Sequence, residues 1–172
     1  MIKEAKNLLE KIIKEKIHGV TVVRSAADES HEIMARKFPL VALVTNPGTF
    51  DGKEARTVRY FEGEPKQYRE RYVRGERVLP ILVRCWAAGE DDADGIFSRI
   101  LPAIPSQWVY DGFVKHIEIG WEEHSDHVKN VTKTYLSVAE VRFRAAAAME
   151  PGEIPYYTQT VLEEGEIINQ EG

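Results

Sequence analysis

Between Gln67 and Ile104 the chain alternates Tyr and Arg, passes through Arg74-Gly75-Glu76, turns apolar as far as Trp86, and then opens an amphipathic segment behind a group of acids. No other stretch constrains the fold as much. The first part predicts a long hairpin with a tight turn at Arg74-Gly75-Glu76. In its second arm, Arg77 to Trp86, the two-residue period of a strand puts Leu79, Ile81, Val83 and Cys85 on one face. Pro80 lacks the amide that a ladder needs, which predicts a sheet edge or a bulge there. Asp91 to Ile104 then places Ala93, Ile96, Phe97, Ile100, Leu101 and Ile104 on one helical face. Glu90, Asp91, Asp92 and Asp94 crowd the positive amino end of that helix, and Pro102 and Pro105 fray its far end.

The flanking segments extend the same α+β reading. Ile2, Ala5, Leu8, Leu9, Ile12 and Ile13 recur at helical spacing, so Ile2 to Lys16 reads as a helix lying on a core, with Gly19 as its stop. Val20 to Arg24 and Leu40 to Thr45 read as strands of one sheet, separated by the polar stretch Ser25 to Lys37, which has no assigned element. Asn46-Pro47-Gly48 and Asp51-Gly52 predict a protruding loop from Asn46 to Ala55 before a strand Arg56 to Phe61. Phe113, Lys115, Ile117, Ile119 and Trp121 share one face of a later strand. Tyr135, Ala139, Val141 and Phe143 share one face of another, with Glu140, Arg142 and Arg144 opposite. The two form an expected antiparallel pair joined by a polar loop, Glu122 to Asn130. The expected fold is α+β: a mixed, mostly antiparallel sheet with two main helices packed on it and a long protruding hairpin.

At 172 residues the chain is long enough for one core, which at this size buries roughly 70% of the unfolded surface. Pro151, Gly152 and Pro155 break the pattern after Met149, so residues 1–149 are expected to form a single domain and residues 150–172 an acidic arm. No apolar run approaches the roughly 20 residues of a membrane span, and Lys and Glu mix through the amino-terminal segment, so a cytoplasmic chain is expected. Cys85 is the single cysteine, which excludes an intramolecular disulfide and leaves the Asn130-Val131-Thr132 sequon little weight. The net charge of −5 is unevenly placed. Past Arg144 there is no Lys or Arg, whereas Glu150, Glu153, Glu163, Glu164, Glu166 and Glu171 all lie there. Lys66, Arg69, Arg71, Arg74, Arg77 and Arg84, by contrast, face only Glu70 and Glu76 in their window.

Catalytic chemistry is sparse. Glu90-x-Asp92-x-Asp94-Gly95 imitates the start of a calcium loop, but its twelfth position, where a bidentate carboxylate belongs, is Leu101, so the acids read as a helix cap. His116, His124 and His127, near Glu122, Glu123 and Asp126, are weak metal candidates; without an H-E-x-x-H pattern they read as a solvated hairpin. There is no G-x-S-x-G elbow or phosphate-cradling G-x-x-x-x-G-K, and Cys85 falls on a core face. Arg69, Arg71, Arg74 and Arg77 with Tyr68 and Tyr72 could meet nucleic acid, but a patch of this size on an acidic chain better suits an ordinary charged hairpin, or one that pairs with an acidic partner surface. An enzyme is not expected, nor a cofactor.

Leu79-Pro80-Ile81-Leu82-Val83-Arg84-Cys85-Trp86-Ala87-Ala88-Gly89-Glu90-Asp91-Asp92-Ala93-Asp94 is a strand running directly into a helix that opens with acids and alanines. Together with Gly120-Trp121-Glu122-Glu123, the closing strand Ala139-Glu140-Val141-Arg142-Phe143-Arg144 and the order of elements from Ile2 to Ala145, it resembles the tail terminator (tail completion) proteins of long-tailed bacteriophages and prophages. The resemblance implies a virion structural protein with no catalytic residues: a six-fold homo-oligomeric ring that caps the tail tube and presents a surface to the head connector or neck. It implies assembly in the host cytoplasm, a final place at the head-proximal end of the tail, and no membrane or specific nucleic-acid partner.

A closed ring needs one patch to meet a different patch on the next copy. The basic residues Arg69, Arg71, Arg74 and Arg77 and the acidic residues Glu153, Glu163, Glu164 and Glu166 are the interface candidates by charge. The alternatives are another head–tail joining or neck protein, or a small metal- or ligand-binding α+β domain built around His116, His124 and His127.

Overall fold

A computed structural model describes residues 1–62, 67–110, 113–129 and 132–149; for 53–62, 67–71, 110, 113–115, 125–129, 132–133 and 148–149 it describes the backbone alone. These residues contain helices α1 (Ile2–Lys16), α2 (Ala26–Met34) and α3 (Glu90–Ile100), the last followed by a 3-10 turn over Leu101–Ala103. The strands are β1 (Thr21–Val23), β2 (Leu40–Thr45), β3 (Thr49–Glu62), β4 (Gln67–Ala87), β5 (Gln107–Tyr110), β6 (Phe113–Lys129) and β7 (Thr132–Met149). The fold is α+β, with a mixed and mostly antiparallel sheet.

Two compact units emerge. The first comprises Met1–Phe50 and Arg77–Ala145. Its strand order is β1-β2-β4-β7-β6-β5; β1 runs parallel to β2, while β2 with β4, β5 with β6 and β6 with β7 are antiparallel. The parallel step needs a crossover, and α2 supplies it. The second unit comprises Asp51–Glu76 and the described residues from Ala146. In it β3 pairs with β4, and Val73 is buried.

The core of the first unit joins both helical stripes to one sheet face. Ala5, Leu9 and Ile13 of α1 and Ile96, Phe97 and Ile100 of α3 cluster with Val41, Leu43, Leu79, Ile81, Val83, Cys85, Ile117, Ala139, Val141 and Phe143. The alternation read in β4 therefore selects core residues as expected, and in β7 it does so for Ala139, Val141 and Phe143, whereas Tyr135 is only half-buried. Residues of opposite parity, Leu40, Trp86 and Leu136, form a smaller cluster with Ile33 of α2 and Phe38 packed against it. α1 is tied to β1 through Glu10, whose carboxylate accepts from Lys14 Nζ at 2.6 Å and Arg24 Nε at 2.7 Å. The Lys14 hydrogen bond, with help from Arg24, holds that carboxyl below its ordinary pKa against the opposing effect of burial.

Several expectations are corrected. Ser25 to Lys37 contains helix α2, Ala26–Met34: the N-cap Ser25 Oγ accepts from Asp28 N–H at 3.1 Å and donates to the Asp28 carboxylate at 2.6 Å. The helix closes on Arg36 at φ 54, with Lys37 N–H donating to Glu32 O at 3.2 Å and Arg36 N–H to Ile33 O at 3.1 Å. Arg74-Gly75-Glu76 is not a turn but the interior of β4, since Tyr72-Val73 and Val78-Leu79 continue the strand on both sides and no Asn-Gly or Asp-Gly pair is there to reverse it. The expected loop Asn46 to Ala55 shrinks to Asn46-Pro47-Gly48, because β3 begins at Thr49.

Pro80 does not mark a sheet edge. It sits on an interior strand opposite the break between β2 and β3. There its carbonyl accepts from Asn46 N–H at 3.1 Å and its missing amide falls where no ladder partner is required.

The last strand pair is also longer than expected. Glu122 to Lys129, assigned to a loop, continues β6 in register with Ala139 to Thr132 of β7. A bulge interrupts the pair: Ile119 faces Val141 but Trp121 faces Glu140, leaving Gly120 extra. Trp121 therefore does not share the face of Ile117 and Ile119, because one inserted residue exchanges the two faces from there on.

Candidate functional site

The bulge at Gly120 decides which β6 side chains meet α3. Ahead of it, Ile117 belongs to the core face, and His116 is paired with Arg144 on the other face. Beyond it, His124 is paired with Ser137 and turned toward α3, its ring 6.3 Å from that of Phe97 in an edge-on contact. His116 and His124 are thus on opposite faces and roughly 25 Å apart along the strand. The alternative grouping of three histidines does not form between these two, and the side chain of His127 lies outside the described residues.

What His124 meets instead is acidic. Its Nε2 lies 3.1 Å from Glu122 Oε1, its neighbour two positions away on the same strand face. Its Nδ1 lies 2.8 Å from Ser137 Oγ, and Ser137 is buried at 2% exposure. Asp94 of α3 completes the group: one ligand atom each from Asp94, Glu122 and His124 lies within 4.8 Å of the others. All three residues are exposed. Beside them is a cavity of ≈ 570 Å³ whose lining includes Glu90, Asp94, His124, Tyr135 and Ser137.

By sequence Asp94 is one of the acids that crowd the amino end of α3. The first turn of α3 holds Glu90, Asp91 and Asp92; Asp94 follows Glu90 by four positions and shares its face, which is why both line the cavity. Ser137 was not anticipated, since its partner is fixed only by the register.

The remaining candidates are dispersed. Arg74 and Arg77 are exposed on β4, three positions apart and so on opposite faces of one strand. Arg69 and Arg71 belong to β4, with side chains outside the described residues, as are Glu153, Glu163, Glu164 and Glu166 altogether. Cys85 is buried in the core, and burial pushes its thiol up to about 12. It is therefore a packing residue, with almost no thiolate at neutral pH.

The opposite face of β6 and β7 carries an ion ladder. Arg142 Nε donates to Glu140 Oε1 at 2.7 Å, and Arg144 Nη2 to Glu118 Oε1 at 3.0 Å. At the end of the strand order, Val109 of β5 (73% exposed), Ile119 (45%) and Trp121 (39%) are open to solvent.

No protein-family model matches the chain, and no curated protein matches it. No helix among the described residues is long and apolar enough to cross a membrane.

Proposed function

We propose that this chain is a virion assembly subunit of the tail terminator type, forming a ring that closes a tail tube and meets the head connector. What supports this reading, beside the resemblance, is the β5–β6 end of the sheet, where Val109 and Trp121 stand exposed on the face away from the core. An end strand with open backbone groups and apolar side chains is a template for protein contact. The neighbouring Arg and Glu ladder gives that contact a polar rim. Ring closure joins this patch to a different surface of the next copy. The same surfaces would serve another head–tail joining position.

The test is the assembly mass by light scattering, with negative-stain images, alone and with assembling tail tube protein. Rings are expected, together with tubes that stop growing when the protein is added. Trp121→Glu and Val109→Glu should shift the protein toward monomer. A protein that stays monomeric with and without tubes, and leaves tube growth unchanged, would overturn the reading.

A further inference from the structure

The Asp94, Glu122 and His124 group is not explained by an ordinary ion pair. Glu122 and His124 alone would make one, at 3.1 Å. Asp94 brings a second carboxylate into the same space, within 4.8 Å. Two carboxylates sharing one imidazole repel each other unless a cation lies between them. Glu90 adds negative charge along the same cavity.

The donor set matches a metal, and its support does too. Around a tetrahedral zinc ion with bonds of about 2.0–2.2 Å, neighbouring ligand atoms stand about 3.3 Å apart. The Glu122–His124 pair is already near that spacing. Asp94 is exposed, and a side-chain rotation would have to close the remaining gap. The imidazole is also held from behind. Ser137, buried on β7, stands 2.8 Å from Nδ1, where its hydroxyl can accept from Nδ1–H and so leave Nε2 free to bind a metal.

We propose that Asp94, Glu122 and His124 form a binding site for a divalent transition metal ion of the zinc class, with Ser137 as the positioning residue for His124. Three protein ligands leave a fourth position for water beside the cavity. One imidazole with two carboxylates favours zinc, manganese or cobalt over the all-oxygen cages that hold calcium. Bound metal would tie α3 to β6, two elements far apart in sequence. The site is independent of the assembly reading: either can fail alone.

The experiment is calorimetric titration of the full chain, stripped with a chelator, with zinc chloride, and with cobalt(II) followed by visible absorption. One saturable site per chain is expected, and its cobalt spectrum should be that of a low-coordinate ion. His124→Ala and Asp94→Asn should each weaken zinc binding at least about tenfold, and Ser137→Ala about tenfold to a hundredfold, with circular dichroism showing the fold retained. His116→Ala should bind as the parent does. The proposal is overturned if the parent shows no saturable binding, if His124→Ala binds equally well, or if His116→Ala loses as much as His124→Ala. Undiminished binding by Ser137→Ala would remove its positioning role.

Discussion

The indole N–H of Trp86 donates to the Glu29 carboxylate at 2.6 Å, joining the end of β4 to α2 across 57 positions of sequence. Glu29 is 3% exposed, and its other oxygen lies 3.0 Å from Arg84 Nη1. The Arg84 guanidinium in turn sits 5.8 Å from the Trp86 ring. A buried carboxylate is tolerated in a sheet face only when both oxygens are met, and here an indole and a guanidinium meet them.

This arrangement predicts an asymmetry. Removing Arg84, whose side chain is 29% exposed, strands the carboxylate, whereas neutralising Glu29 leaves the arginine within reach of water. Arg84→Met should lower unfolding stability by about 3 kcal/mol, and Glu29→Gln, which keeps an acceptor for Trp86, by about 1 kcal/mol. Urea denaturation of the two variants measures the difference. Equal losses would contradict the account.

Gly48 is required by proximity. A Cβ there would lie 2.7 Å from the carbonyl oxygen of Val78, a backbone atom that cannot move aside without disturbing β4. Gly48→Ala should cost about 1–3 kcal/mol, at the strong end for a surface connection. A thermal midpoint equal to the parent's would show that β4 yields there.

Gly120 has flexible neighbours instead. A Cβ there would meet Arg142 Cζ at 2.8 Å and Glu140 Oε1 at 2.9 Å, so Arg142 must leave the Glu140 carboxylate, whose side chain is 10% exposed. Gly120→Ala should cost about 1–2 kcal/mol. In an Arg142→Ala background the same change should cost clearly less, because the displaced pair is already gone. A cost independent of Arg142 would place the strain in the bulged backbone.

Cys85 supplies a pH prediction. Burial raises its thiol from 9.0 to about 12 in the folded chain, so the folded state keeps a proton that the unfolded state gives up. The stabilisation is complete below about pH 9 and is lost as pH rises toward 12. Alkylation by iodoacetamide at pH 8 should require unfolding and slow in step with stability. Fast labelling of native protein would show an accessible thiol.

Much of this fold was legible in the residues, and the failures have physical reasons. Helix α1 and strand β2 match their expected bounds because their apolar periods are unbroken and nothing competes with them. Helix α2 is polar and lacks a strong apolar stripe, so periodicity does not reveal it, whereas its N-cap Ser25 with Asp28 three positions on is a local signal that the sequence carries. Gly75 and the Asp51-Gly52 pair were read as turns because glycine permits a turn without requiring one. Inside long paired strands the ladder overrides that permission.

The sequence alone determined which residues are apolar and at what spacing, hence the core-facing sets of α1, α3, β4 and β7, and the burial of Cys85. It also fixed the acidic start of α3. Only the tertiary structure decided that Gly120 is an extra residue, that His124 therefore parts from His116, and that it meets Asp94, Glu122 and Ser137 instead. Periodicity is a local property of the chain. Register between strands distant in sequence is settled by the whole pairing at once, and a single inserted residue reverses every side chain beyond it.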